Sequence, residues 1–535
     1  MERNVFFGGL GPLGRLSRAA GSALLLALLA ACSVEPPYHR PDVAAPAAFK
    51  EAPALPASEA GTWKPAQPAD DAHRGEWWTV FGDTTLDSLE QQAADANQNL
   101  KAAAARVQEA RAVTRAARSQ WFPSIDAGFS PTRERLAPVT LEEPQNANVP
   151  TQTVWTAQAT VSYEADLFGR VSSNVNAATA DAQQSEALFR SVQLALQADV
   201  AQNYFQLREL DTEVQLYRKT VSLREDTLKL VERRFKEGDI SELDVAQARN
   251  ELSTARADAV GVARTRAASE HGLAILLGKA PANFTFPETP LDPVTVRIPA
   301  GLPSALLERR PDIAAAERAM AAANARVGLA KSAFFPKLDI TGAAGFESAT
   351  LGDLFMWSSR TFLLGPLSGT ALTLPIFDGG RRKADLAQAR GKYDEDVAQY
   401  RQQVLVAFRE VEDNLSDLRL LDDQMHSQSD AVNASERASH LSDVQYQEGQ
   451  VSYLNVIDAQ RSVLDSELQA SRLQGVQAVS TVNLIRALGG GWGDVQVGDA
   501  KTQDAAKVSS AAPASASAVA AATVAAVEQK GTTNR

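Results

Sequence analysis

The chain has 535 residues, 44% apolar but only 6% aromatic, and it is rich in Ala, Gln, Leu and Val. That balance suits long helices better than a compact sandwich, and the length fits about two to four ordinary domains or one elongated one. Its 53 Lys+Arg against 65 Asp+Glu give a net charge of −12; with no basic run, the chain has a poor footprint for nucleic acid. A single cysteine, Cys32, excludes an internal disulfide and a thiolate metal cluster. The five histidines, His39, His73, His271, His426 and His440, form no HxxxH pair, and no convergent nucleophile, base and orienting group is visible. The chain therefore reads as neither enzyme nor metalloprotein, and it needs no cofactor.

Residues 1–31 read as a signal peptide. Arg3, Arg15 and Arg18 precede an apolar run, Ala23 to Ala31, that is too short for a stable bilayer anchor. The run ends in Leu29-Ala30-Ala31-Cys32, which resembles the bacterial lipobox. That resemblance implies cleavage before Cys32, diacylation of its thiol and acylation of the new amine. Three acyl chains, at about 0.8 kcal/mol per buried CH₂, anchor firmly where one is marginal. Ser33 rather than Asp follows, which by resemblance to sorted lipoproteins favours the outer membrane. Residues 1–31 carry Glu2 and three Arg, so the mature chain holds about −14. Residues 32–84 form a lipid-anchored extended segment, with Pro36, Pro37, Pro41, Pro46, Pro53, Pro56, Pro65 and Pro68 as its stiffeners.

The body repeats. Trp121-Phe122-Pro123-Ser124-Ile125-Asp126 returns as Phe334-Phe335-Pro336-Lys337-Leu338-Asp339, 213 residues later. Phe168-Gly169-Arg170 returns as Asp378-Gly379-Gly380-Arg381. Glu237-Gly238 and Leu276-Leu277-Gly278 return 211 residues later as Glu448-Gly449 and Ala487-Leu488-Gly489. Four landmarks in one order at nearly one offset define a tandem duplication. The first repeat spans 85–280 and the second 304–490, with a linker over 281–303. Residues 491–535 close the chain, ending in an Ala/Ser-rich tail of disordered composition.

Each repeat predicts a short helix, a long helix and a return helix: 86–120, 170–236 and 242–278, then 304–333, a proline-free stretch from 376, and 453–488. Val200, Leu207, Val214, Val221, Leu228 and Phe235 recur every seven residues, with Leu210, Tyr217 and Val231 at the second position and Asn203 and Arg224 as polar interruptions. Val411, Leu418, Met425 and Val432 continue the same register in the second repeat, the pattern of coiled-coil packing. Gly238 and Gly449 end the long helices.

Strands fall between the short and long helices. Trp155, Ala157, Ala159, Val161 and Tyr163 alternate with Thr156, Gln158, Thr160 and Ser162, and Leu338, Ile340, Gly342, Ala344 and Phe346 alternate with Asp339 and Thr341. Segments near 124–131 and 367–376 supply partners. Alternation over about ten residues marks a transmembrane barrel strand, and a barrel needs about eight strands or more. Four strands per chain require the barrel to be shared between chains.

The lipobox followed by Pro-Pro-Tyr-His-Arg-Pro (36–41), the paired Phe-Pro motifs, Glu-Arg-Arg-Pro-Asp-Ile (308–313), Pro-Ile-Phe-Asp-Gly-Gly-Arg (375–381) and Ala-Leu-Gly-Gly-Gly-Trp (487–492) resemble the outer membrane factor family, in particular its NodT-type efflux lipoproteins. The resemblance covers about 32–495. It implies a mainly α fold with membrane β: a homotrimer whose 12 strands form an outer-membrane barrel, continued by a periplasmic α-helical barrel about 100 Å long. It implies an exit channel that passively conducts small molecules such as drugs, docked to a periplasmic adaptor and an inner-membrane pump of the resistance-nodulation-division type. The pump supplies the energy; this chain has no GxxxxGK[ST] loop. Alternative readings are a channel for type I protein secretion and a structural lipoprotein that bridges envelope layers.

The same resemblance assigns site residues. Phe235, Gly238, Ser241 and Tyr446, Gly449, Ser452 sit at the two far turns and are similar to the family's adaptor-contact motif. A glycine there ends one helix and leaves a groove for another hairpin tip; a plain C-cap is the simpler reading. Leu454, Asp458 and Arg461, at i, i+4 and i+7 on one helix face, match the family's periplasmic constriction. In a threefold assembly they would make an apolar ring, a cation-attracting acidic ring and a basic partner that pairs with a neighbouring Asp458. A local surface pair near a helix N-terminus is again the simpler reading.

Overall fold

The computed structural model describes residues 34–43, 45, 46, 48–51, 75–142, 144, 145, 148–294, 309–364 and 370–490. The signal segment, Cys32 and residues 491–535 lie outside the described residues. Seven α-helices and five strands order the described chain: α1 (Thr84–Ala96), α2 (Gln98–Ser119), β1 (Ser124–Glu134), β2 (Gln152–Ala165), α3 (Arg170–Lys236), α4 (Glu242–Leu276), α5 (Pro311–Ser332), β3 (Lys337–Ser348), β4 (Arg360–Leu364), β5 (Thr370–Thr373), α6 (Arg381–Gln447) and α7 (Tyr453–Ala487).

Helix lengths match between halves. α3 and α6 each have 67 residues, α4 and α7 each 35, α2 and α5 each 22. At 1.5 Å per residue, α3 and α6 are about 100 Å long. Aspartates prepare both starts. Asp166 accepts from the Val171 and Ser172 amides at 3.1 and 2.8 Å, and Asp378 accepts from the Gly380 and Arg382 amides at 3.0 and 3.1 Å. They neutralise first-turn donors that have no helical partner.

The short helix expected over 86–120 is two helices. Asn97 breaks it with extended backbone (φ −60°, ψ 128°), accepts from the Leu100 amide at 3.0 Å, and donates to Leu276 O at 2.9 Å. An Asn that caps one helix while tying down another stabilises the break. In the second half α5 starts at Pro311, a residue suited to the first helical turn.

The seven-residue seam also differs from its expected course. Val200, Leu207 and Val214 are buried, but Val221 and Leu228 are only half-buried and Phe235 is exposed. Toward the tip the buried line passes to Leu210, Tyr217, Arg224 and Val231. A straight helix drifts by about 20° per heptad against a strict 3.5-residue repeat, so the seam slides onto the adjacent row. In α6 Val411 is buried, whereas Leu418, Met425 and Val432 are half-buried, and past Leu421 no residue of α6 is buried within this chain.

The strands form one antiparallel ribbon in the order β1-β2-β3-β4, with β5 also on β3. β4 pairs with β3 over 342–346 and β5 over 337–340, so the two together make the fourth strand. The partner expected over 367–376 therefore begins earlier, at Arg360; residues 367–369 lie outside the described residues and 374–376 are not strand. The register sorts side chains by polarity. Ile125, Ala127 and Phe129 face the same way as Val161, Ala159 and Ala157, which pair with Gly342, Ala344 and Phe346. Asp126, Gly128 and Ser130 share the other face with Thr160, Gln158 and Thr156 and with Ala343, Gly345 and Glu347. Phe129 stacks on Trp155 at 5.7 Å between centroids. Phe122, Trp357, Phe362, Ile376 and Phe377 are exposed around the ribbon.

The described residues between 34 and 51 run without regular secondary structure as a strap over the helices. Glu35 accepts from Ser173 Oγ at 2.9 Å and Asn176 Nδ2 at 3.1 Å. Tyr38 donates to Glu317 at 2.7 Å, Arg40 donates to the Tyr400 hydroxyl at 2.8 Å, and the Lys50 and Glu51 amides donate to Glu412 at 2.8 and 3.0 Å.

Candidate functional site at the hairpin tips

The turns α3–α4 and α6–α7 lie together. Val231, Val245 and Ala248 of the first hairpin pack with Tyr453, Val456 and Ile457 of the second, with Leu228, Ile240 and Tyr446 against them. One apolar plug therefore fixes both turns at the same level.

Each turn closes in the same way. Gly238 (φ +82°) donates to Phe235 O at 3.0 Å and Asp239 to Arg234 O at 3.0 Å; Gly449 (φ +75°) donates to Tyr446 O at 3.0 Å and Gln450 to Gln445 O at 2.9 Å. This pair of bonds satisfies the last helical carbonyls and needs the left-handed backbone that glycine adopts freely. Ser241 then opens α4 through a capping box with Asp244, its hydroxyl donating to Asp244 Oδ2 at 2.8 Å, and Ser452 donates to Asn455 at 2.8 Å. Phe235 is exposed, while Tyr446 is half-buried on Tyr453 and lies 5.2 Å from Arg234. Five of the six expected docking residues thus do local structural duty, and the exposed Phe235 side chain is the exception. The glycines differ from those at the opposite helix ends. A Cβ on Gly238 or Gly449 would meet nothing within 4 Å, whereas one on Gly278 would lie 2.6 Å from Ala96 O. The tip glycines face open space.

The three expected gate residues share one exposed face of α7. Leu454 is 48% exposed, and the Asp458 and Arg461 side chains are 63% and 56% exposed. Arg461 is 3.7 Å from Asp458 of its own chain, but its main partner is Glu251 of α4, which it grips with two nitrogens. Glu251 is buried and also faces Arg224 at 3.7 Å; Arg224, buried as well, donates to Gln460 at 2.8 Å. The carboxylate holds the Arg461 guanidinium above its ordinary pKa. Of Glu251, Arg224 and Gln460, the sequence marks only Arg224, as a polar interruption of the heptad. Arg224 interrupts an apolar heptad row, which is a signal for a buried partner; Glu251 is 210 residues from Arg461 and gives none. Among the described residues, no group of three or more His, Cys, Asp or Glu could hold a metal ion.

An antiparallel ribbon with one apolar face, joined to helices about 100 Å long, is the architecture of a membrane-embedded channel protein. A family model described as outer membrane efflux protein matches residues 89–279 and again 302–490. The toluene efflux pump outer membrane protein TtgF of Pseudomonas putida is 35% identical over 475 residues, 89% of this chain and 97% of the relative. Outer membrane protein OprJ of Pseudomonas aeruginosa is 34% identical over 475 residues, 88% and 95% of the two chains. The open-state MtrE outer membrane channel of Neisseria gonorrhoeae superposes with a TM-score of 0.73 at 30% identity, over 86% of this chain and 98% of that one. The chain belongs to the outer membrane efflux protein family. It is an outer-membrane protein and acts there as an efflux channel.

Proposed function

We propose that three copies of this chain form the exit duct of a tripartite efflux system. Their ribbons join into one 12-stranded barrel, and their hairpins join into one periplasmic helical barrel. The duct passively conducts small molecules that an inner-membrane pump and a periplasmic adaptor deliver. The observation that carries this reading is the ribbon's register: four strands with an apolar face, whose outer strands β1 and β4/β5 pair with nothing else among the described residues. Unpaired edges are costly in a bilayer, where every backbone donor and acceptor must be satisfied, and only closure removes them. The bare outer half of α6 fits the same need for neighbouring copies. The matched helix lengths support a tandem duplication behind the two halves. Toluene, the cargo named for one relative, supports small-molecule export over protein secretion.

The site residues take their roles within this reading. Cys32 carries the lipid. Leu454, Asp458 and Arg461 ring the periplasmic opening, with Arg461 latched to Glu251. Phe235, Gly238 and Ser241, with Tyr446, Gly449 and Ser452, receive the adaptor. Native mass spectrometry in mild detergent should show a trimer, and a spectrum with only monomer or dimer would sink the shared barrel. Radiolabelled palmitate should enter the wild-type protein and not Cys32→Ser; label in both, or in neither, removes the lipid assignment.

A further inference from the structure

A cavity of about 840 Å³ opens between α3, α4 and α7. Its floor carries Glu209, Leu210, Glu213 and Tyr217 of α3, and Val262 of α4 and Val476 of α7 stand at its sides. At about 100° per residue, Glu209 and Glu213 lie across α3 from Arg208 and Asp211. Those two hold the 281–294 linker: Arg208 donates to Pro287 O at 2.9 Å, and the Thr289 amide donates to Asp211 at 2.9 Å. The cavity therefore lies on the face turned away from the linker. We take this face as the lumen side of the closed helical ring proposed above, and the inference rests on that reading.

Five charged side chains line the cavity, Glu209, Glu213 and Asp258 against Arg264 and Arg472. Glu213 is buried and accepts from Arg472 Nε at 2.6 Å. Oε1 of Glu209 is buried with no hydrogen-bond partner. Gly475 packs directly against it, and a Cβ there would come within 2.6 Å of Glu209 Cγ, so the missing side chain is the room that Glu209 occupies. The duplication does not account for these acids: in the second half, Leu420 and Gln424 stand at the positions equivalent to Glu209 and Glu213. Burial, helped by the Glu213 carboxylate and opposed by the Arg472 guanidinium, pushes the Glu209 carboxyl up to about 7. The cavity volume lies within the range of about 300–1,000 Å³ that suits drug-sized ligands.

We propose that this cavity is a transit site for amphipathic organic cations, whose charged head takes the unpartnered Glu209 oxygen while the apolar body lies against Leu210, Val262 and Val476. A bound cation favours the ionised carboxylate, so binding expels a proton and tightens as pH rises through neutrality. The probe is tetraphenylphosphonium, titrated calorimetrically into the detergent-solubilised full chain. Its Kd should tighten by roughly fivefold from pH 6 to pH 8. Glu209→Gln should weaken binding at least about tenfold and flatten the pH dependence. Uncharged triphenylphosphine oxide should bind weakly and equally to both proteins. The site is overturned if Glu209→Gln binds tetraphenylphosphonium as wild type does, or if wild type shows no binding at millimolar probe, as it would with a neighbouring copy filling the cavity. Planar-bilayer conductance without probe separates the two readings. A wild type that conducts keeps the channel whatever the calorimetry shows, and one that does not conduct removes the channel itself.

Discussion

Arg461 is gripped by Glu251 of the other hairpin, so the proposed gate has a latch within each chain. Leu454→Ala, Asp458→Ala and Arg461→Ala together should raise single-channel conductance several-fold and sensitise cells to large antibiotics such as vancomycin; unchanged conductance in the folded triple mutant removes the gate. Glu251→Ala acts differently, because it strands the buried Arg224 guanidinium. Breaking a buried pair costs about 3 kcal/mol or more, so this variant should both open the tip and lower the melting temperature. Glu90 of α1 is a second buried acid, with both carboxylate oxygens buried and unpartnered, and burial pushes its pKa up to about 9. The folded state keeps the proton while the unfolded chain loses it near its ordinary value of about 4.3. The stability that neutral Glu90 contributes is thus complete below that value and is lost as pH climbs through about 9. Glu90→Gln should raise Tm at pH 7.5 and leave it nearly unchanged at pH 4; equal melting curves at both pH values would show that the carboxyl is solvated.

The four long-helix ends test what a glycine is for. Gly238, Gly278, Gly449 and Gly489 all have positive φ. Gly278→Ala drives a Cβ into Ala96 O and should cost well over the roughly 1–2 kcal/mol of left-handed strain alone. Gly449→Ala should cost only that strain. Gly449→Trp should leave the trimer intact on a native gel and cut efflux, since only an incoming hairpin would meet the ring; efflux at wild-type rates ends the docking assignment. Much of the element plan was legible in the sequence, because the repeat fixed the long helices and the two-residue alternation fixed β2 and β3. Asn97 was missed because a cap buried inside an Ala-rich run looks like one more helical residue. β4 was missed because Arg360-Thr-Phe-Leu-Leu is too short to display a period. At the tip, the shared face of Leu454, Asp458 and Arg461 follows from spacing alone, whereas the latch to Glu251 depends on how two hairpins lie side by side.

For the whole molecule, the strap sets an order of events. Its partners Glu317, Tyr400 and Glu412 lie 279 to 362 residues further along the chain. Contacts of such separation form late, since the loop they close must first be organised by nearer ones. Gly328 provides the notch for Glu35, because a Cβ there would meet Glu35 Cγ at 2.8 Å. Translation releases residues 34–51 long before their groove exists, yet the groove needs α3, α5 and α6 packed to receive them. The segment next to Cys32, the proposed lipid site, is therefore expected to stay accessible to lipid-attaching factors for as long as folding is incomplete. It is withdrawn from them once the helices behind it are in place, so a chain still open to handling is by construction an unfinished one.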